Sequence, residues 1–171
     1  MKLLKTIRDV DVFGGATNNP ILKERNAARA VVIDEKSNKL GMVYVSKFDY
    51  YKIPGGGIEE NENIEEALDR ECMKEIGRHI DVIDEIGIIT EYREKHNLKQ
   101  DSFCYLAKTT SDQFKPNFTE DEIGEGFQLI WIGLNEAIEK QKNCKPKDYQ
   151  GAFIKVRELT FLEEAKKKLN L

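Results

Sequence analysis

Apolar residues fall in short runs separated by polar turns, with one stretch of helical period among them. Ala30-Val31-Val32-Ile33 predicts a strand, Asp34 to Asn38 a turn, and Leu40 to Val45 a second strand completing a hairpin. Lys52-Ile53 leads into Pro54 and three glycines, Gly55 to Gly57, which read as a turn. Residues 63 to 76 read as a helix: Asn63 with Glu66 three positions on is a capping-box start, and Gly77 stands where a left-handed residue closes a helix. Ile80, Val82, Ile83, Ile86, Ile88, Ile89 and Tyr92 predict one long bent strand, or two short ones about Gly87. Phe103 to Ala107 is a further strand, residues 110 to 126 a polar, acidic loop, and Phe127 to Ile132 a strand with Trp131 near its end. Helices follow near 134–142 and 152–169, with a turn at 145–150 between them. Residues 1–26 read as a short leader strand and a loop, with turns at Gly14-Gly15 and Asn18-Asn19-Pro20. Strands outnumber helices without strict alternation, which predicts an α+β domain around a mixed sheet.

On a wheel of about 100° per residue, Ile64, Leu68, Cys72 and Ile76 share one face of the helix, with Ala67 at its edge. Glu71 and Glu75 fall inside that apolar arc. A carboxylate facing a core is costly unless it is paired or holds a metal, and two carboxylates four residues apart also repel one another. A divalent cation answers both problems. Gly55 to Gly57 allow backbone to approach a ligand with no Cβ in the way, and the helix begins within a few residues.

Composition narrows the class. At 171 residues, the chain is enough for one well-cored domain, read over 1–171. It is 40% hydrophobic and 34% charged, the balance of a globular protein. Its net charge of −4 offers no polycationic surface, so no nucleic-acid partner is expected; a small phosphorylated substrate needs only a local positive site. There is no apolar run of membrane-spanning or signal-peptide length, so neither a membrane partner nor export is expected. Cys72, Cys104 and Cys144 are widely spaced and odd in number, which reads as reduced thiols in the cytoplasm.

From Gly56 the chain spells Gly56, Glu62, Arg70, Glu71, Glu75 and Gly77 at the spacing G-x5-E-x7-R-E-x3-E-x-G. This pattern resembles the Nudix box, and the likeness extends over about residues 27–142. The resemblance implies an α/β/α sandwich around a mixed sheet. It also implies hydrolysis of a nucleoside diphosphate linked to another group, with Mg²⁺ or Mn²⁺. Carried over residue by residue, Glu71 and Glu75 match metal-ligand glutamates, and one of them also orients the attacking water. Gly55 matches a position whose carbonyl reaches the metal. Glu62 and Arg70 brace the loop against the helix, and Gly56 and Gly77 complete the structural frame of the box. A further ligand or general base is expected from the acidic loop, with Glu125 first and Glu122 second.

Arg29 and Tyr51 are candidates to touch substrate phosphate and base or sugar, against plain surface and structural roles. Lys74 replaces a box glutamate, which puts a cation beside the metal site; it also has the chemistry to contact substrate phosphate. Arg78 replaces an aliphatic residue. The Lys74 departure keeps an alternative open, a degenerate Nudix module that binds a nucleotide with little or no turnover. A homodimer is compatible with the sequence, and the substrate stays open among nucleoside triphosphates, nucleotide sugars and dinucleotide polyphosphates.

Overall fold

The computed structural model describes residues 1–16 and 22–170. In chain order its elements are β1 (Leu3–Arg8), α1 (Asp9–Phe13), β2 (Lys23–Asp34), β3 (Lys39–Val45), β4 (Tyr50–Lys52), β5 (Gly55–Gly57) and α2 (Ile64–Ile76). There follow β6 (Ile80–Arg93), β7 (Leu98–Thr109), α3 (Glu120–Gly124), β8 (Phe127–Ile132), α4 (Leu134–Asn143) and α5 (Tyr149–Lys168). All eight strands join one sheet, ordered β1-β6-β7-β2-β3-β4, with β5 on β2 and β8 on β3. The sheet is mixed: β1–β6 and β2–β7 are parallel, the other pairs antiparallel.

Alternation along the strands divides the core into two layers. Ala28, Ala30 and Val32 of β2 face α2, which buries Ala67, Leu68, Cys72 and Ile76 against them. Val31 and the β7 residues Cys104 and Leu106 face the other way and pack with Phe153, Phe161 and Leu162 of α5 and Ala137 and Ile138 of α4. The result is the expected α/β/α sandwich. The helix expected over 63–76 forms as read, with Asn63 and Glu66 capping each other and Gly77 left-handed at φ 61°.

Several elements differ from the sequence reading. The three glycines form a paired strand rather than a turn. β2 starts seven residues before the apolar run, because Lys23 to Arg29 are polar or small yet still pair with β7. The segment 80–93 is a single strand whose register shifts between Glu85 and Gly87, and Gly87 takes φ 155° there. The acidic loop contains the short helix α3, and α5 begins three residues early at an Asp148 cap. The leader holds a strand and also a short helix. The Asn18-Asn19-Pro20 turn lies outside the described residues. Among the described residues, no helix is long and apolar enough to cross a membrane.

Candidate active site

The site lies where the sheet opens. β2 and β3 pair only through Ile33–Leu40 and Asp34–Lys39. Beyond that point β5 takes the edge of β2, Arg29 opposite Gly55 and Ala27 opposite Gly57, while β4 takes the edge of β3. Each glycine of β5 lies against a different charged side chain. A Cβ on Gly55 would meet Arg29 Cγ at 2.8 Å, one on Gly56 would meet Glu71 Oε1 at 2.3 Å, and one on Gly57 would meet Arg25 Nη2 at 2.7 Å. The glycines therefore bring two guanidinium groups and a carboxylate onto consecutive backbone units.

Helix α2 brings the carboxylates. Glu71 and Glu75 lie on its buried face, 7% and 1% exposed. They stand in its C-terminal half, where the helix dipole disfavours negative charge. Glu75 Oε2 accepts from the Gly55 amide at 3.1 Å, and Oε1 lies 2.5 Å from Lys52 Nζ. Burial still holds the Glu75 carboxyl above its ordinary value, against the pull of Lys52. Glu71 Oε1 is 2.5 Å from Arg70 Nη1. Arg70 also grips Glu62 at 2.6 Å and donates to the Gly57 carbonyl at 3.0 Å, so Glu62 and Arg70 tie the glycine strand to the helix. Those contacts, that to Glu62 foremost, raise the Arg70 pKa.

The opposite wall comes from β4 and α3. On β4 the strand alternation turns Tyr50 and Lys52 into the cleft. Tyr51, the sequence candidate, is not among the described residues lining it: the ring stacks on Tyr44 at 4.5 Å, on the other side of the strand. Glu122 and Glu125 both line the cleft. Glu122 is committed to Lys74 at 2.7 Å and to the Thr119 amide at 2.8 Å. Burial opposes its ionisation, but Lys74 and Thr119 outweigh that and lower its pKa. The Glu125 carboxylate, half-buried, makes no such pair among the described residues.

The histidines and two further aromatic side chains lie elsewhere. His79 pairs with Asp69 and His96 lies edge-on to Tyr149. Trp131 packs in the α2 layer under Arg78, and Tyr92 lies beneath Arg8.

The divalent cation implied by the box can be tested against these donors. Mg²⁺ is commonly held by one or two carboxylates together with waters and substrate phosphates. Glu71 and Glu75 meet that requirement in one cleft, and burial leaves Glu75 short of positive charge despite Lys52. Every donor is nevertheless held by a protein cation: Glu71 by Arg70, Glu75 by Lys52, and the Gly55 carbonyl by Arg29 at 3.3 Å. Among the described residues no three His, Cys, Asp or Glu side chains gather at one point. Glu71, Glu75 and the Gly55 carbonyl are oxygen donors of the kind a hard divalent cation takes, and they would hold it in place of the protein cations that now occupy them.

Four cleft cations were not singled out from the sequence: Arg25, Lys52, Arg93 and Arg157. Arg25 shares a strand face with Arg29, and Lys52 with Tyr50, so period-two reading carried a signal for both. Nothing local marks Arg93 or Arg157, because α5 reaches the cleft only through tertiary packing.

Comparison with known proteins gives a match to the NUDIX domain over residues 23–151. No curated protein matches by sequence. Solved structures with similar folds include a NUDIX hydrolase from Nitrosomonas europaea, at TM-score 0.63 and 16% identity, covering 85% of this chain and 90% of that one. A MutT protein from Methanosarcina mazei Go1 gives TM-score 0.56 at 16% identity, covering 85% and 97%. An ADP-ribose pyrophosphatase from Streptococcus suis 89-1591 gives TM-score 0.55 at 17% identity, covering 84% and 92%.

Proposed function

The chain belongs to the NUDIX domain family of pyrophosphohydrolases, and from that premise we propose that its cleft hydrolyses the phosphoanhydride of a nucleoside diphosphate joined to another group, using Mg²⁺ or Mn²⁺. Nudix hydrolases generally use a divalent metal. The observation that carries the reading is that Glu71 and Glu75 share one cleft with Arg29, Lys52 and Lys74. Carboxylates alone would repel a diphosphate; the cations draw it in and hold it.

In this reading Glu71, Glu75 and the Gly55 carbonyl hold the ion. When bound, it supplies Lewis-acid polarisation of a phosphate oxygen. Arg29 and Lys52 bind phosphate oxygens as charge builds during P–O cleavage. Glu125 is the base, because its carboxylate has no cation of its own and is available to take a proton from the attacking water. Glu122 instead holds Lys74 in place. The three buried, free cysteines accord with a reducing compartment, and we assign the protein to the cytoplasm.

A nucleotide panel assayed with Mg²⁺ and with Mn²⁺ tests this. Glu75→Gln should lower turnover of the best substrate by about 100-fold or more, the scale on which a charge-stabilising group acts. Equal rates for wild type and Glu75→Gln on every active substrate would end the assignment.

The cations on all three donors favour a second reading, a module that binds a nucleotide without turning it over. Lys74→Glu discriminates between the two. It restores a carboxylate and releases Glu122, so a silent wild type made active by this change supports the binding reading. An active wild type rejects it.

A further inference from the structure

Four arginines converge on the α5 side of the cleft: Arg25 and Arg29 from β2, Arg93 from β6 and Arg157 from α5. Two carboxylates stand among them. Glu91 lies 2.9 Å from both Arg93 and Arg157, and Glu158 lies 2.5 Å from Arg157. Burial opposes ionisation of Glu91, but Arg157 and Arg93 overcome it and hold its carboxyl at about 2.

Positive charge remains in excess. Arg25 and Arg29 pair with no carboxylate among the described residues. Arg25 donates to Gln100 Oε1 at 3.2 Å; Arg29 donates to Ser102 Oγ at 3.4 Å and to the Gly55 carbonyl at 3.3 Å. Arg93 Nε is buried and makes no hydrogen bond among the described residues. Arg29 is 6% exposed, and burial, then Arg157, draws its pKa down to about 10. Arg29, buried with only neutral partners, is unfavourable unless an anion joins it, and Arg25 stands beside it on the exposed part of the same strand face. Arg25 and Arg29, four residues apart on one strand face, present planar forks suited to phosphate oxygens.

We propose that Arg25, Arg29 and Arg93, backed by Arg157, form a seat for a terminal phosphate, so that the site selects nucleotides ending in a free, unesterified phosphate, such as nucleoside triphosphates, over those whose second phosphate is esterified to a sugar. The substrate preference rests on the hydrolytic reading; the seat itself does not. A terminal phosphate brings one more negative charge and one more free oxygen than an esterified one. The cavity, about 220 Å³, has room for phosphates.

The test is calorimetric titration of the full chain with inorganic pyrophosphate in EDTA, which takes metal and catalysis out of the readout. Saturable binding is expected for wild type, weakened at least tenfold in Arg25→Gln and less in Arg25→Lys. Arg25→Gln should melt close to wild type, because Arg25 is exposed and its side-chain hydrogen bond goes to the neutral Gln100. Absence of saturable binding by wild type, or equal affinity in a folded Arg25→Gln, overturns the seat. A second measurement needs no variant: wild-type kcat/KM should favour a nucleoside triphosphate at least tenfold over the nucleotide sugar of the same base. Equal or reversed values overturn the selectivity. Normal pyrophosphate binding with no hydrolysis of either substrate would overturn the hydrolase reading and leave the seat standing.

Discussion

Gly56 is held by space rather than by backbone conformation. Its neighbour Gly55 has φ 147°, whereas Gly56 needs no left-handed geometry; what excludes a side chain is Glu71 Oε1, 2.3 Å from where a Cβ would lie. Gly56→Ala must therefore displace the carboxylate, and Arg70, bonded to the same oxygen, resists that shift. We expect kcat/KM to fall by about 100-fold, the penalty for misplacing a reacting group by an ångström, checked by steady-state kinetics on the best substrate of the panel. The sequence already pointed to Glu71 and Glu75 as core-facing carboxylates, since helical period puts them on the apolar arc. Nearness in sequence to the glycines does not put Tyr51 in the cleft lining: strand alternation sends Tyr50 and Lys52 inward instead.

At the scale of elements, α2 joins a strong start to a costly end. Asn63 Oδ1 accepts from the Glu66 amide at 3.0 Å, and Glu66 Oε2 accepts from the Asn63 amide at 2.8 Å. Its last turns carry two buried glutamates against the helix dipole. Asn63→Ala should lower unfolding free energy by about 1 kcal/mol, read by urea denaturation. The catalytic rate should hold, because the cap lies at the end of α2 away from Glu71 and Glu75. Gly77 closes the helix where even a methyl would strike the Phe114 carbonyl at 2.0 Å, so the 110–126 segment is docked on the end of α2. That docking, with the Lys74–Glu122 pair, brings α3 to the cleft. The sequence showed α2 in full, cap to cap, because capping and helical period are local. It missed β5 as a strand because three glycines carry no side-chain pattern; only the unpaired edge of β2 makes them one.

For the whole molecule, the buried charges between the sheet and α5 set the response to acid. The Glu91 carboxyl is lowered from 4.5 to about 2 in the fold. Its contribution is therefore complete above pH 4.5 and is lost as pH falls toward 2, roughly 3 kcal/mol in all. Glu75 acts in the opposite sense: its pKa is raised, so protonation relieves its burial as pH falls. Urea unfolding measured across this range should show wild type losing stability below pH 4.5. Glu91→Gln should be flatter across the same range and weaker at neutral pH by about 3–5 kcal/mol, as expected when one partner of a buried pair is removed.

What the sequence determined by itself was an α+β fold around a mixed sheet, the box helix and the two core-facing carboxylates, because alternation, helical period and fixed spacing act between near neighbours along the chain; the sandwich was what the resemblance implied. What only the tertiary structure decided was the company those carboxylates keep. Lys52 reaches Glu75 across the opening between β2 and β3. Arg93 and Arg157, separated by 64 positions in the chain, meet at Glu91 because α5 packs on the face of the sheet where β6 displays it. Charge in a protein acts through space, and no period along the chain encodes which distant cations will share one cleft.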